Sequence, residues 1–178
     1  MKKVLLASLT AIGLISFTAC SSDDDDNGSG NGGHPIEGVW NLDVQLISGS
    51  GSLDLGLAQI PYDIRNEKVG GSGTWELRGG DMIGNGVIEV ETEFTVIFLG
   101  DTISDTTMET EDLSDSDSSY ELVEGNIIRI TQDGETNDFN YNLDGDNLTI
   151  TGKVTVTEEG PTGQDLEFEL DFLMELSR

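Results

Sequence analysis

The sequence predicts an all-β fold, an antiparallel up-and-down β-barrel of about eight to ten strands with a β-sandwich as the alternative. Three observations predict it. Apolar residues recur at every second position through most of the chain, the spacing of a strand with one buried face. Asp-Gly pairs and Gly-rich tetrads separate those runs, and such pairs suit tight hairpins because Gly tolerates positive φ. The chain holds 23 glycines and 3 prolines, which supplies turns and leaves the backbone N–H groups that ladders need.

In order, Trp40, Leu42, Val44 and Leu46 alternate with Asn41, Asp43, Gln45 and Ile47. Trp75 and Leu77 alternate with Thr74, Glu76 and Arg78. From Val87 to Leu99 the pattern is denser, with Ile97 and Leu99 joining Phe94, Val96 and Phe98; it predicts a strand covered on both faces or packed on a partner. Asp101 to Ser119 carries Asp101, Asp105, Glu109, Glu111, Asp112, Asp115 and Asp117 with few apolar residues. It predicts a long mobile loop with at most a weak strand around Thr106 to Glu111, a loop that is solvated or gathers a weakly held ion.

The second half alternates more regularly. Ile128 and Ile130 lead to a turn at Asp133-Gly134, and Phe139, Tyr141 and Leu143 alternate with Asp138, Asn140 and Asn142. Asp144-Gly145-Asp146-Asn147 forms the next turn, before Leu148 and Ile150. Gly152 marks a bend or bulge ahead of Val154 and Val156, and Gly160-Pro161-Thr162-Gly163 is a further turn. The last run sets Leu166, Phe168, Leu170, Phe172, Met174 and Leu176 against Asp165, Glu167, Glu169, Asp171, Leu173 and Glu175. Helical spacing would scatter these acids, whereas strand spacing gathers them on one wet face.

Upstream of the strands the chain reads differently. Residues 1–19 carry Lys2 and Lys3, an apolar run from Val4 to Phe17, and small residues before a cleavage point, the zones of an export signal. The apolar run is shorter than the roughly 20 residues a spanning helix needs. Phe17-Thr18-Ala19-Cys20 resembles a bacterial lipobox, which implies acylation of Cys20 and a membrane partner through that lipid; an ordinary secretory signal with an incidental cysteine is the other reading. Residues 20–34 are Asp-, Gly-, Asn- and Ser-rich and too polar to bury a core, so they predict a tether. Residues 35–178 then form one domain, of a size that supports its own core. Ser21, Ser22, Asp23, Asp24, Asp25 and Asp26 either make a solvated charge run or resemble an acidic sorting signal. That signal would place a lipid-anchored protein on the outer membrane, at the cell surface of a Gram-negative bacterium.

Charge narrows the partners. The formal net charge is −27, and loss of residues 1–19 removes two lysines. A chain this acidic does not seek nucleic acid or anionic lipid. With one cysteine in the whole chain, no intrachain disulfide is possible.

Gly38-Val39-Trp40, at the head of the first strand, resembles the Gly-x-Trp motif of lipocalins. The segment Gly125 to Gly152 is similar to the later strands of lipocalin-like domains in bacterial surface lipoproteins. The resemblance implies a barrel around a small, partly apolar ligand, with Trp40 closing the barrel floor. Trp40, Trp75, Tyr141, Phe168 and Phe172 are the candidate lining residues; packing of a filled core is the other reading of the same side chains. In that case the chain is a structural or interaction module that meets a protein or glycan through its surface.

Reaction chemistry finds little support. The one histidine, His34, lies beside the tether, and Cys20 is taken up by lipid, so Ser–His and Cys–His nucleophiles lack their parts. Zinc sites need several His or Cys ligands, and no Gly-rich loop follows a strand as phosphate cradles require. The sequence therefore predicts a non-enzymatic protein with no catalytic residues, no metal and no cofactor. The five cations Arg65, Lys68, Arg78, Arg129 and Lys153 are expected to pair mostly with surface acids.

Overall fold

The computed structural model describes residues 34–54, 59–115, 118–132, 134–159 and 165–178. The predicted signal, Cys20, the Ser21–Asp26 segment, Asp117, Asp133 and the turn at Gly160-Pro161-Thr162-Gly163 lie outside the described residues.

The described chain is almost wholly strand. It comprises β1 (Gly38–Asp54), β2 (Gln59–Arg78), β3 (Asp81–Phe98), β4 (Asp101–Asp112), β5 (Ser118–Val123), β6 (Ile127–Gln132), β7 (Glu135–Asp144), β8 (Asn147–Glu159) and β9 (Asp165–Ser177). One 3-10 turn, Leu113–Asp115, interrupts them. All nine strands join a single antiparallel sheet in the order β2-β1-β9-β8-β7-β6-β5-β3-β4, and β2 also pairs with β3. The sheet thus returns on itself in a ring-like arrangement.

The predicted mobile loop at 101–119 is instead mostly strand. β4 pairs with β3 from Val87↔Asp112 to Phe98↔Asp101. The acids obscured it because Asp105, Glu109 and Glu111 stand opposite apolar residues of β3, where alternation calls for apolar partners, while Thr102, Ile103, Thr106, Thr107 and Thr110 supply the β-branched residues a pleated surface favours. β4 and β5 occupy successive stretches of the same β3 edge, since β5 takes over at Asp81↔Ser119 and Met82↔Ser118.

Between them Leu113, 1% exposed, turns into the core. Two glycines make room for it. A Cβ at Gly84 would lie 2.2 Å from the Leu113 carbonyl oxygen, and one at Gly73 would lie 2.3 Å from a Leu113 methyl.

β1 corrects a second expectation. Trp40 and Leu42 face inward as predicted, but the register shifts between Leu42 and Val44. A bulge of this kind moves the following residues to the opposite face. Gln45 then lies opposite buried Met174, and Ile47 opposite Phe172 and Asn66. The predicted phase, with Val44 and Leu46 inside, is inverted from that point.

β9 follows its pattern. Phe168, Leu170, Met174 and Leu176 are buried, and Glu167, Glu169, Asp171 and Glu175 are exposed. Gly152 marks a close approach, for a Cβ there would stand 2.6 Å from the Phe139 ring. β7 pairs with β8 only from Asn140↔Thr151 to Asp144↔Asn147. Beyond Thr151, β8 therefore has β9 as its one described neighbour, just as β4 has only β3. Among the described residues the wall of the ring carries a notch between these two free edges.

The interior divides in two. The larger apolar cluster fills the Trp40 end with Ile36, Trp40, Leu42, Trp75, Leu77, Met82, Ile88, Leu113, Ile128, Phe139, Leu148 and their neighbours. A smaller cluster occupies the other end: Ile64, Phe168 and Leu170 are buried, and Ile47, Leu53, Tyr62, Phe94, Val154, Val156 and Leu166 around them are only half-buried. Burying a large apolar side chain contributes about 1.5–3 kcal/mol. The Trp40 end accordingly carries most of the stability, and the far end keeps part of its apolar surface wet.

Candidate functional site: a half-open apolar chamber

The second cluster is the candidate site. β1, β2, β3, β8 and β9 each place alternate side chains on its wall. Tyr62 stands edge-on to Phe168, with ring centroids 5.0 Å apart and planes at 80°. Phe139 and Phe172 are 4.9 Å apart at 48° and mark where the chamber meets the filled end. The notch beside β8 leaves Val154 and Val156 half-buried.

A partial polar belt lies between the two apolar ends, which still touch through Val154. The Asn66 side-chain amide donates to the Thr92 hydroxyl at 2.8 Å, across paired residues of β2 and β3. Glu111 lies opposite buried Ile88 on the β3–β4 ladder and is near enough to the Gln45 side chain of β1 for that polar group to favour its charged form. As a residue Glu111 is exposed. Desolvation of its carboxyl nevertheless holds the pKa above the ordinary carboxylate value, against the lowering effect of Gln45. Register puts Asp105 and Glu109 on the same face of β4, opposite Phe94 and Val90. The chamber therefore has apolar walls and an acidic margin along β4.

The predicted lining residues do not form one group. Trp40 is fully buried in the filled end, where its indole N–H donates to the Ile36 carbonyl at 2.7 Å. Trp75 is its cross-strand partner and is also buried; its indole nitrogen finds no hydrogen-bond partner among the described residues. Tyr141 is half-buried at the same end, with its ring 6.3 Å from that of His34. Phe168 lines the chamber, and Phe172 sits at its base against the larger cluster.

Sequence reasoning missed Ile47, Leu53, Tyr62, Ile64, Val154 and Val156 as lining. The alternation Ile60, Tyr62, Ile64 was there to be read, whereas the β1 bulge hid Ile47. Nothing local singles out Glu111 from the acids around it.

The exposed cations are largely taken. Arg129 makes a two-pronged contact with Asp138, at 2.7 and 3.1 Å, Arg78 lies 3.5 Å from Glu76, Arg65 pairs with Glu67 and Lys153 with Glu169. The Lys68 ammonium reaches the Asp43 carbonyl at 3.4 Å. The last two ion pairs flank a shallow outer groove with Ser48, Ser50, Asp63 and Asp171, so that groove offers no uncommitted cation. Among the described residues no three His, Cys, Asp or Glu side chains converge to hold a metal ion. No known protein family, curated protein or solved structure matches the chain.

Proposed function

We propose that this chain is a non-enzymatic, lipid-tethered binding protein of lipocalin-like type. Its barrel holds a small, partly apolar molecule in the chamber at the end away from Trp40. The observation that carries the reading is the half-exposed apolar lining around Ile64, Phe168 and Leu170. Apolar area left in water is unfavourable by about 25 cal/mol per Å², and a ligand entering by the notch would cover it. Small barrels either fill their interior or hold one small ligand, and the half-buried side chains around Ile64, Phe168 and Leu170 support the second reading at this end.

Register is consistent with closure into a barrel. A path across paired residues runs from Met82 through Ser118, Gln132 and Glu135, then down β7 to Asn140. It continues through Thr151, Leu173, Leu46 and Glu67 and meets β3 again at Glu91, well along the strand from its start. Tilted strands in a closed barrel require such a stagger. Attachment through Cys20 and display at the cell surface belong to the same proposal and rest on the sequence.

Titration of the full chain with the apolar fluorophore N-phenyl-1-naphthylamine tests the chamber. Saturable enhancement is expected, weakened at least tenfold by Phe94→Asp or Val156→Asp, with an unchanged fold by circular dichroism. Absence of saturation, or enhancement indifferent to both substitutions in folded protein, would overturn the reading.

A further inference from the structure

The tip of the β3–β4 hairpin lies outside the chamber reading. Ile97, Phe98 and Leu99 are consecutive and exposed, Leu99 to 90%, and Ile103 follows on β4 at 46%. The two turn residues both take left-handed conformations, Leu99 with φ 55° and Gly100 with φ 86°. Such a two-residue turn favours Asn, Asp or Gly at its first position. Leu99 is the one described non-glycine residue with positive φ. The hairpin thus holds a strained, solvent-facing leucine where a turn-forming polar residue would serve the fold better.

The surrounding charge says what would cover it. From Val87 to Asp112 the hairpin contains eight carboxylates and no Lys, Arg or His. Asp101 is the direct cross-strand partner of Phe98, and Asp105 and Glu93 lie a few residues further along. We propose that this tip is a docking element for another protein, with an apolar socket for Phe98 and Leu99 and a rim of Lys or Arg for Asp101 and Asp105.

A second copy fits poorly, since two such hairpins would bring like charges together. A lipid surface fits poorly too, because Asp101 would be desolvated at the depth of Phe98 with nothing to pair it. A basic protein rim supplies that pairing, and exposed strained apolar residues cluster where binding repays their cost.

Photocrosslinking tests the proposal. Benzoylphenylalanine replaces Ile97 in the full-length chain, and the cells that produce it are irradiated. The expected result is one discrete protein adduct whose crosslinked peptide is apolar and flanked by Lys or Arg. It falls at least tenfold when Leu99→Asn, or separately Asp101→Lys, is added to the same chain. Leu99→Asn is expected to leave the melting temperature equal or higher, so that loss of the adduct reports docking. The proposal is overturned by a lipid adduct alone, an adduct of twice the chain mass, or no adduct. An adduct that survives both substitutions, or one that maps to an acidic site, overturns it equally.

Discussion

The Arg178 guanidinium lies over the Trp40 ring, 3.8 Å from its centroid, and ties the last residue of the chain to the first strand. The same group donates to the carbonyl oxygens of Pro35 and Glu37 at 3.0 and 2.7 Å. One planar cation therefore stacks on the buried tryptophan and holds the segment through which the chain enters the domain. An exposed cation–π contact contributes about 0.5–1 kcal/mol, and each hydrogen bond a similar amount. Arg178→Ala is expected to destabilise by about 1–2 kcal/mol, which lowers the melting temperature by roughly 3–7 °C for a domain of this size. Arg178→Lys restores less than half, because an ammonium lacks the planar fork. Thermal denaturation of the three proteins checks this.

The turn at Leu99 gives a prediction of opposite sign. Left-handed backbone costs an L-residue with a Cβ about 1–2 kcal/mol, and Leu99 is too exposed to recover that by burial. Leu99→Gly is expected to stabilise by about 1 kcal/mol, a rise of about 2–4 °C. A fall in melting temperature would show that the side chain supports the hairpin.

These cases mark what the sequence could reveal. β9 was legible because its six apolar residues keep one phase from Leu166 to Leu176 and meet no bulge. The β7–β8 hairpin was legible because Asp144-Gly145 states its turn chemistry, with Gly145 at φ 58°. β1 misled beyond Leu42 because a bulge leaves no signature in an alternating pattern. β4 misled because its pairing comes from β3, a partner contact that carboxylates on the strand do not announce. The chamber depends on where β7 leaves β8 and on β4 having a single neighbour among the described strands, and both are properties of the ring. Arg178 over Trp40 joins the two ends of the domain, a distance no local pattern spans.

The glycine seat of Leu113 can be dissected. At Gly73 an added Cβ meets the end of the Leu113 side chain, whereas at Gly84 it meets Leu113 backbone. Leu113→Ala alone is expected to cost about 2–5 kcal/mol as a buried leucine. Gly73→Ala is expected to cost clearly less in the Leu113→Ala background than alone, since shortening the side chain removes the clash. Gly84→Ala is expected to be equally damaging in both backgrounds. A double-mutant cycle by urea denaturation reads the coupling directly; additivity at Gly73 would reject the proposed seating.

Glu111 ties pH to the polar belt. Its carboxyl pKa is raised by desolvation, so the folded state binds its proton more readily than the unfolded chain does. Such a group favours folding fully below the ordinary carboxylate pKa of 4.5. The contribution is lost as pH rises from there through the raised folded value. Glu111→Gln keeps the size and polarity of the side chain and removes the charge. The variant is expected to be slightly more stable than the parent at neutral pH, and the gap should close below pH 4.5. The effect is small because the residue remains open to solvent. Melting temperatures of both proteins across pH 4 to 8 test the sign, and a gap that widens on acidification would mean that the ionised carboxylate is the favoured form in the folded ring.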